Sequence, residues 1–297
     1  MTFNEGIRTN PGRGSSSRGR GGMVAGGVGG LGGLLLLLLY MFMGGDPSSA
    51  PIGPGAGGGG AQEEQTDVLE KCQTGADANK YSECRVLATV ESLDEVWKPI
   101  LPKEAGRNYQ QADFRIFTDA VNTGCGSASS ATGPFYCPAD GTVYIDVNFY
   151  DALETQLGAK NEPLAQEYII AHEWGHHIQN LTGQLRRVDH NDTGPASTMV
   201  RSELQADCYA GIWVHHAANS VDPETGETFL KPPTEQQIND ALAAAAAVGD
   251  DRIQAQQGRV SPETWTHGSA EQRQKWFVQG YKHGTMQSCD TWSVQQP

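Results

Sequence analysis

One run of five residues restricts this chain more than any other: His172-Glu173-Trp174-Gly175-His176, of the form H-E-x-x-H. On a helix, side chains at i and i+4 stand one above the other on the same face. Both imidazoles can then reach one ion. Glu173 is rotated about 100° from His172, close enough to address a water on that ion without ligating it. Two neutral imidazoles, an oxygen ligand from elsewhere and an open fourth position describe a catalytic zinc site rather than a closed structural one. The plainer alternative is a helix that happens to carry two histidines. The flanks argue for a well-signalled helix: Asn161 can cap it, Pro163 sits in its first turn, and Glu162 and Glu167 lie at the positive end of the dipole. Leu164, Tyr168, Ala171, Gly175 and Ile178 recur at spacings of three and four, and Gly183 supplies a stop.

A third ligand is needed. A second helical pattern, from about Ala196 to Ala218, carries Glu203-Leu204-Gln205-Ala206-Asp207. Its E-x-x-x-D form again sets two side chains on one face. Glu203 follows His176 at a distance that allows a turn and an antiparallel return, so it is the expected third ligand. Asp207, one turn on, can accept the other ring N–H of a ligand histidine and fix its tautomer. The competing reading is an exposed acidic pair, but Ala206, Ala210, Ile212 and Trp213 surround it with apolar sequence. The longer pattern H-E-x-x-H-x-x-G-x-x-H fails, because Gln179 and Thr182 occupy the glycine and last histidine positions. His190 is a weak rival ligand. His215 and His216 fall about three turns beyond Glu203, and His177 points away from His176. His267, in Thr266-His267-Gly268-Ser269, is placed to donate to an oxyanion or to serve as a structural loop histidine.

The formal charge is −14. Arg8, Arg13, Arg18 and Arg20 against Glu5 give the first 22 residues +3, so the remainder carries −17. That charge disfavours nucleic-acid binding by the main domain. Residues 1–22, rich in Gly, Ser and Arg, are expected to be a disordered basic tail. Met23 to Met43 is an uncharged, mostly apolar run. As a helix it spans about 31 Å against a hydrocarbon core of about 30 Å. With arginines before it, the positive-inside rule predicts a single-pass anchor with a cytoplasmic N-terminus and an exported remainder. Residues 44–64 read as a Gly/Pro-rich tether, and 65–297 as the exported domain. All six cysteines follow the apolar run: Cys72, Cys84, Cys125, Cys137, Cys208 and Cys289. This suggests disulfides in an oxidising compartment. Nearest neighbours in sequence would pair, Cys72 with Cys84 and Cys125 with Cys137, leaving Cys208 with Cys289.

Within the domain, a helix is expected from Glu83 to Leu101, ended by Pro99 and Pro102. Strands are expected at Phe114–Thr118 and Thr142–Val147, the second alternating and preceded by the turn signal Asp140-Gly141. The stretch from Tyr136 to Val147 has hairpin form. A free edge on the 142–147 strand could hold an extended substrate across the metal. Thr234-Glu235-Gln236-Gln237 and Ser269-Ala270-Glu271-Gln272 are capping boxes that open two further helices.

With these motifs in view, the chain resembles the bacterial neutral zinc metallopeptidases, a membrane-anchored family grouped with gluzincin-type proteases. The resemblance covers roughly Cys72 to Cys289. It is carried by CGSASSATGPFYCPADGTVYID (125–146), AHEWGHHIQ (171–179), ELQADCYAGIW (203–213) and THGSAEQRQKWF (266–277). It implies His172, His176 and Glu203 as zinc ligands and Glu173 as the catalytic residue, and it strengthens His267 as a site residue. The expected fold is α+β and zincin-like: a small antiparallel sheet on the H-E-x-x-H helix, followed by a mostly helical half. The expected activity is zinc-dependent hydrolysis of peptide bonds, with a peptide or protein substrate. The alternative is a membrane-tethered module that keeps zinc for stability alone.

Overall fold

A computed structural model describes residues 1–20, 62–65, 67–256 and 258–297. The N-terminal segment is not a tail. Met1, Phe3 and Ile7 are at most 1% exposed within the main core, and the Met1 amino group pairs with Glu167 in a fully buried contact. Strand β1 (Ser15–Arg20) then runs antiparallel to β2 (Gln62–Gln65), with Arg20 opposite Gln62, and parallel to β3 (Asp113–Thr118). This corrects the expectation of disorder for residues 1–20; residues 21 and 22 lie outside the described residues. The segment's polar composition conceals it, because a parallel strand is held through its backbone groups and only a few apolar anchors need burying. The tether also ends sooner than expected, since residues 62–65 are a strand.

The apolar run 23–43 and residues 44–61 lie outside the described residues. No described helix is long and apolar enough to cross a membrane. Residues 15–20 and 62–65 share one sheet, and the expected transmembrane anchor lies outside the described residues.

Next come helix α1 (Gly75–Lys80) and the long α2 (Ser82–Ala105). Pro99 and Pro102 lie inside α2 rather than ending it. Ile100 and Leu101 are buried and hold the last turns on the core, and Gly106 in the left-handed region closes the helix. After β3, strands β4 (Ala120–Thr123) and β5 (Gly126–Ser129) form a separate antiparallel pair. Strand β6 (Phe135–Cys137) pairs antiparallel with β7 (Thr142–Ile145), and β7 pairs parallel with β3. The five-stranded order is β2-β1-β3-β7-β6. The α+β class holds, but the sheet is mixed, not antiparallel. Strand β7 has a neighbour on each side, so among the described residues the sheet ends on β2 and β6, and the edge beside β7 is that of β6.

The second half is helical: α3 (Phe149–Leu157), α4 (Pro163–Thr182), α5 (Thr198–Ala217), α6 (Glu235–Ala247), α7 (Asp250–Gln256) and α8 (Ala270–His283). The motif lies in α4. Its N-cap is Glu162, not Asn161. Ile170 and Trp174 are buried along with the expected stripe, so α4 is enclosed nearly all round. Helices α5 and α8 approach closely through glycine: a Cβ at Gly280 would stand 1.9 Å from the Cys208 carbonyl oxygen. The disulfides are Cys72–Cys84, Cys125–Cys137 and Cys208–Cys289, the expected pairing. The third ties α5 to the C-terminal segment.

Candidate active site

Helices α4 and α5 bring His172, His176 and Glu203 together. Their ligand atoms all lie within 4.8 Å of one another. His172 Nε2 is 3.2 Å from Glu203 Oε2, and His176 Nε2 is 3.4 Å from Glu203 Oε1. Both Nδ1 atoms are engaged elsewhere: His172 Nδ1 meets Asp207 Oδ1 at 2.8 Å, and His176 Nδ1 meets Gln179 Oε1 at 2.9 Å. Two Nε2 atoms and a carboxylate thus converge on one point, with the far side of each ring pinned. This donor set fits zinc.

Gly175 makes the convergence possible. A Cβ there would lie 2.9 Å from Ala206 Cα, and Ala206 sits between Glu203 and Asp207 on α5. The sequence signal was present, since Gly175 belongs to the buried stripe, but the neighbour it admits was not readable.

Asp207 is fully buried. Arg273 from α8 grips it with two hydrogen bonds, Nε to Oδ2 and Nη2 to Oδ1, each 2.9 Å, and the Tyr168 hydroxyl donates to Oδ1 at 2.5 Å. Burial works against the Asp207 charge, but Arg273 and His172 outweigh it and hold its pKa below the ordinary value. Burial also opposes a charged His172, yet Asp207 and Glu203 push its pKa up to about 10. Zinc must therefore displace a proton from this ring. The sequence indicated Asp207 but not Arg273 or Tyr168.

Glu173 points into the same cleft. Burial raises its carboxyl above the ordinary value, against the pull of the nearby histidines.

His267 lines the cleft too, its side chain 39% exposed. Asp250, the first residue of α7 and fully buried, holds the His267 loop. Its Oδ2 accepts the backbone N–H groups of Thr266, His267 and Gly268 at 2.8, 2.8 and 3.0 Å. Its Oδ1 lies 3.5 Å from His267 Nδ1. Burial disfavours a charged His267, but Asp250 and Glu203 prevail and raise its pKa. Nothing in the sequence marked Asp250.

The other histidines are elsewhere. His190 lines the cleft without joining the ligand cluster. The His177 ring reaches Tyr136 and the Gln110 carbonyl. His215 and His216 reach the carbonyls of Tyr281 and Gly284.

The family model described as "Putative neutral zinc metallopeptidase" matches residues 4–292. The chain belongs to this zinc metallopeptidase family. The match begins at residue 4, well before the stretch that carried the sequence resemblance, and so includes the N-terminal segment that packs in the core. An uncharacterised protein of Mycobacterium tuberculosis is 54% identical over 227 residues, 76% of each chain. The uncharacterised protein YpfJ of Escherichia coli is 38% identical over 290 residues, 96% of this chain and 93% of its own. No solved structure matches significantly.

Proposed function

We propose that this family member is a zinc-dependent peptidase that hydrolyses peptide bonds, with His172, His176 and Glu203 as ligands and Glu173 as general base. The observation that carries the reading is the placement of Glu173 beside three convergent ligand atoms in an open cleft of about 540 Å³. A structural zinc site needs no such base. When bound, zinc supplies Lewis acidity that lowers the pKa of a water and polarises the scissile carbonyl. Glu173 would take a proton from the attacking water as its oxygen bonds to the carbonyl carbon, and pass that proton to the amine nitrogen as the C–N bond breaks. The His267 ring, with Nδ1 2.8 Å from Thr266 Oγ1 on a loop that Asp250 holds, donates to the oxyanion that develops on the carbonyl oxygen. Asp207 and Arg273 hold His172 with its Nε2 turned inward. The outer edge of β6, which no described strand covers, offers backbone groups to an extended substrate. The cleft walls include Phe135, Phe149, Leu157, Ile169, Val248 and Ile253, which favour a bulky apolar residue next to the scissile bond.

We further propose that residues 23–43 tether the protein to a membrane, with residues 1–20 and 62–297 together on its extracytoplasmic face. Three disulfides support an oxidising compartment. Single cysteines introduced near Asn10 and near Lys231 should both react with an impermeant thiol reagent on intact cells. Protection of either one sinks this placement.

The peptidase reading is tested with quenched-fluorescent peptides that vary beside the scissile bond. Cleavage should require zinc, be stopped by chelation and favour apolar residues. No cleavage of any peptide at full zinc occupancy contradicts it.

A further inference from the structure

The two ligand histidines are held by different chemistry. His172 faces a carboxylate whose charge is matched by Arg273. His176 faces a neutral amide. Gln179 is one helical turn past His176 and fully buried. All its polar contacts run to protein: Oε1 to His176 Nδ1 at 2.9 Å and to Ser202 Oγ at 3.1 Å, and Nε2 to the Ser202 carbonyl at 2.7 Å and to Gln205 Oε1 at 3.1 Å.

We propose that Gln179 is the positioning residue of His176, fixing its tautomer without adding charge. This rests on the reading of His172, His176 and Glu203 as zinc ligands. A backbone carbonyl can only accept a hydrogen bond. The atom of Gln179 that faces the Ser202 carbonyl is therefore its NH₂, and the atom that faces His176 is its oxygen. That oxygen can only accept, so His176 carries its proton on Nδ1 and presents a bare Nε2 to the site. The next amide is oriented the same way: Gln205 Nε2 donates to the Cys289 carbonyl at 3.1 Å, which leaves Gln205 Oε1 to receive Gln179 Nε2. Two backbone carbonyls thus dictate the direction of a chain of hydrogen bonds running from the Cys208–Cys289 bridge to a zinc ligand. A carboxylate could not replace the amide, because one of its oxygens would face the Ser202 carbonyl and Gln205 Oε1.

The electrostatic result is a balanced centre. Asp207 and Arg273 cancel, Gln179 contributes nothing, and Glu203 and Glu173 match a divalent cation. An acidic partner on both rings would leave the site net negative.

The test uses the full chain and its Gln179→Leu and Gln179→Glu variants. Zinc affinity is measured by competition with a chromophoric chelator. The His176 ring tautomer is read by long-range ¹H–¹⁵N NMR of the metal-free protein at a pH where the ring is neutral. Wild type should show the Nδ1–H tautomer. Gln179→Leu should lose about 10- to 100-fold in zinc affinity and mix the tautomers, and Gln179→Glu should not restore the affinity. A folded Gln179→Leu that binds zinc like wild type overturns the proposal. So does an Nε2–H tautomer in the wild type, a readout that needs no variant to fold. Wild type that takes up no zinc overturns the ligand assignment itself, which is a different result.

Discussion

Replacing Gly175 by alanine tests how the two ligand-bearing helices are spaced. The added Cβ would meet Ala206 at Cα 2.9 Å, O 3.0 Å and Cβ 3.2 Å. Carbon contacts relax near ~3.5–4.0 Å, so α4 and α5 must part by roughly half an ångström or more. Overpacking of this kind costs about 1–3 kcal/mol, and alanine returns about 1 kcal/mol of helix propensity over glycine. The net loss of stability is then about 0–2 kcal/mol, a fall in Tm of no more than ~8 °C. The metal centre is less forgiving. His172 and His176 sit on one helix and Glu203 on the other, and metal–ligand distances tolerate about ±0.2 Å. Zinc affinity should fall by about tenfold or more while the fold stays nearly intact. Chelator competition measures the first quantity and a thermal melt the second. A Gly175→Ala protein that binds zinc as tightly as wild type refutes the claim that this glycine sets the spacing.

Four further outcomes follow from the packing and the charges. Arg273→Met leaves the Asp207 carboxylate buried without its partner, so stability should drop by about 3–5 kcal/mol, read as a lower Tm; an unchanged melt contradicts the pairing. Deleting residues 1–20 removes Met1, Phe3 and Ile7 from the core at about 1.5–3 kcal/mol each. That is comparable to the whole stability of a domain, about 5–15 kcal/mol. The fragment should lack a cooperative transition in circular dichroism, and a melt at the wild-type temperature refutes the role given to the segment. The Glu173 carboxyl is raised above its ordinary value of 4.5 and must be ionised to act. In the zinc-free protein it should therefore titrate above 4.5, read by ¹³C NMR of the side-chain carboxyls, and a midpoint at or below that value contradicts its burial in the cleft. Zinc displaces a proton from His172, so apparent zinc affinity should weaken as pH falls below about 10; a flat profile between neutral and alkaline pH contradicts this.

Much of the site was legible because it is local. His172, Glu173 and His176 are set by helical spacing alone, and the E-x-x-x-D pattern placed Glu203 and Asp207 on a returning face. Gln179 was within reach of the same reasoning: it is three residues past His176, a neighbour on the helix surface, but it was seen only as a residue that broke a longer histidine pattern. Arg273, Tyr168 and Asp250 were not legible, since their partners lie far along the chain and ordinary helix positions do not advertise them. The sheet was misjudged for a related reason. Strand β1 comes from a Gly/Ser/Arg stretch whose pairing with β3 depends on backbone groups, and a parallel partner inserted from the N-terminus leaves no local pattern. The sheet is mixed even without it, because β3 and β7 run parallel while β6 and β7 run antiparallel, and those two pairings leave β6, not β7, on the edge. The disulfides were readable because two of the three join cysteines near in sequence.

The most direct measurement is zinc-loaded full-length protein against a mixed peptide library, beside Glu173→Gln brought to equal zinc content, with the products mapped by mass spectrometry. The account predicts cleavage next to bulky apolar residues by the wild type, and a rate lower by about 10²- to 10⁴-fold in the variant. Equal cleavage by the two proteins, or none by a folded, zinc-saturated wild type, would contradict it.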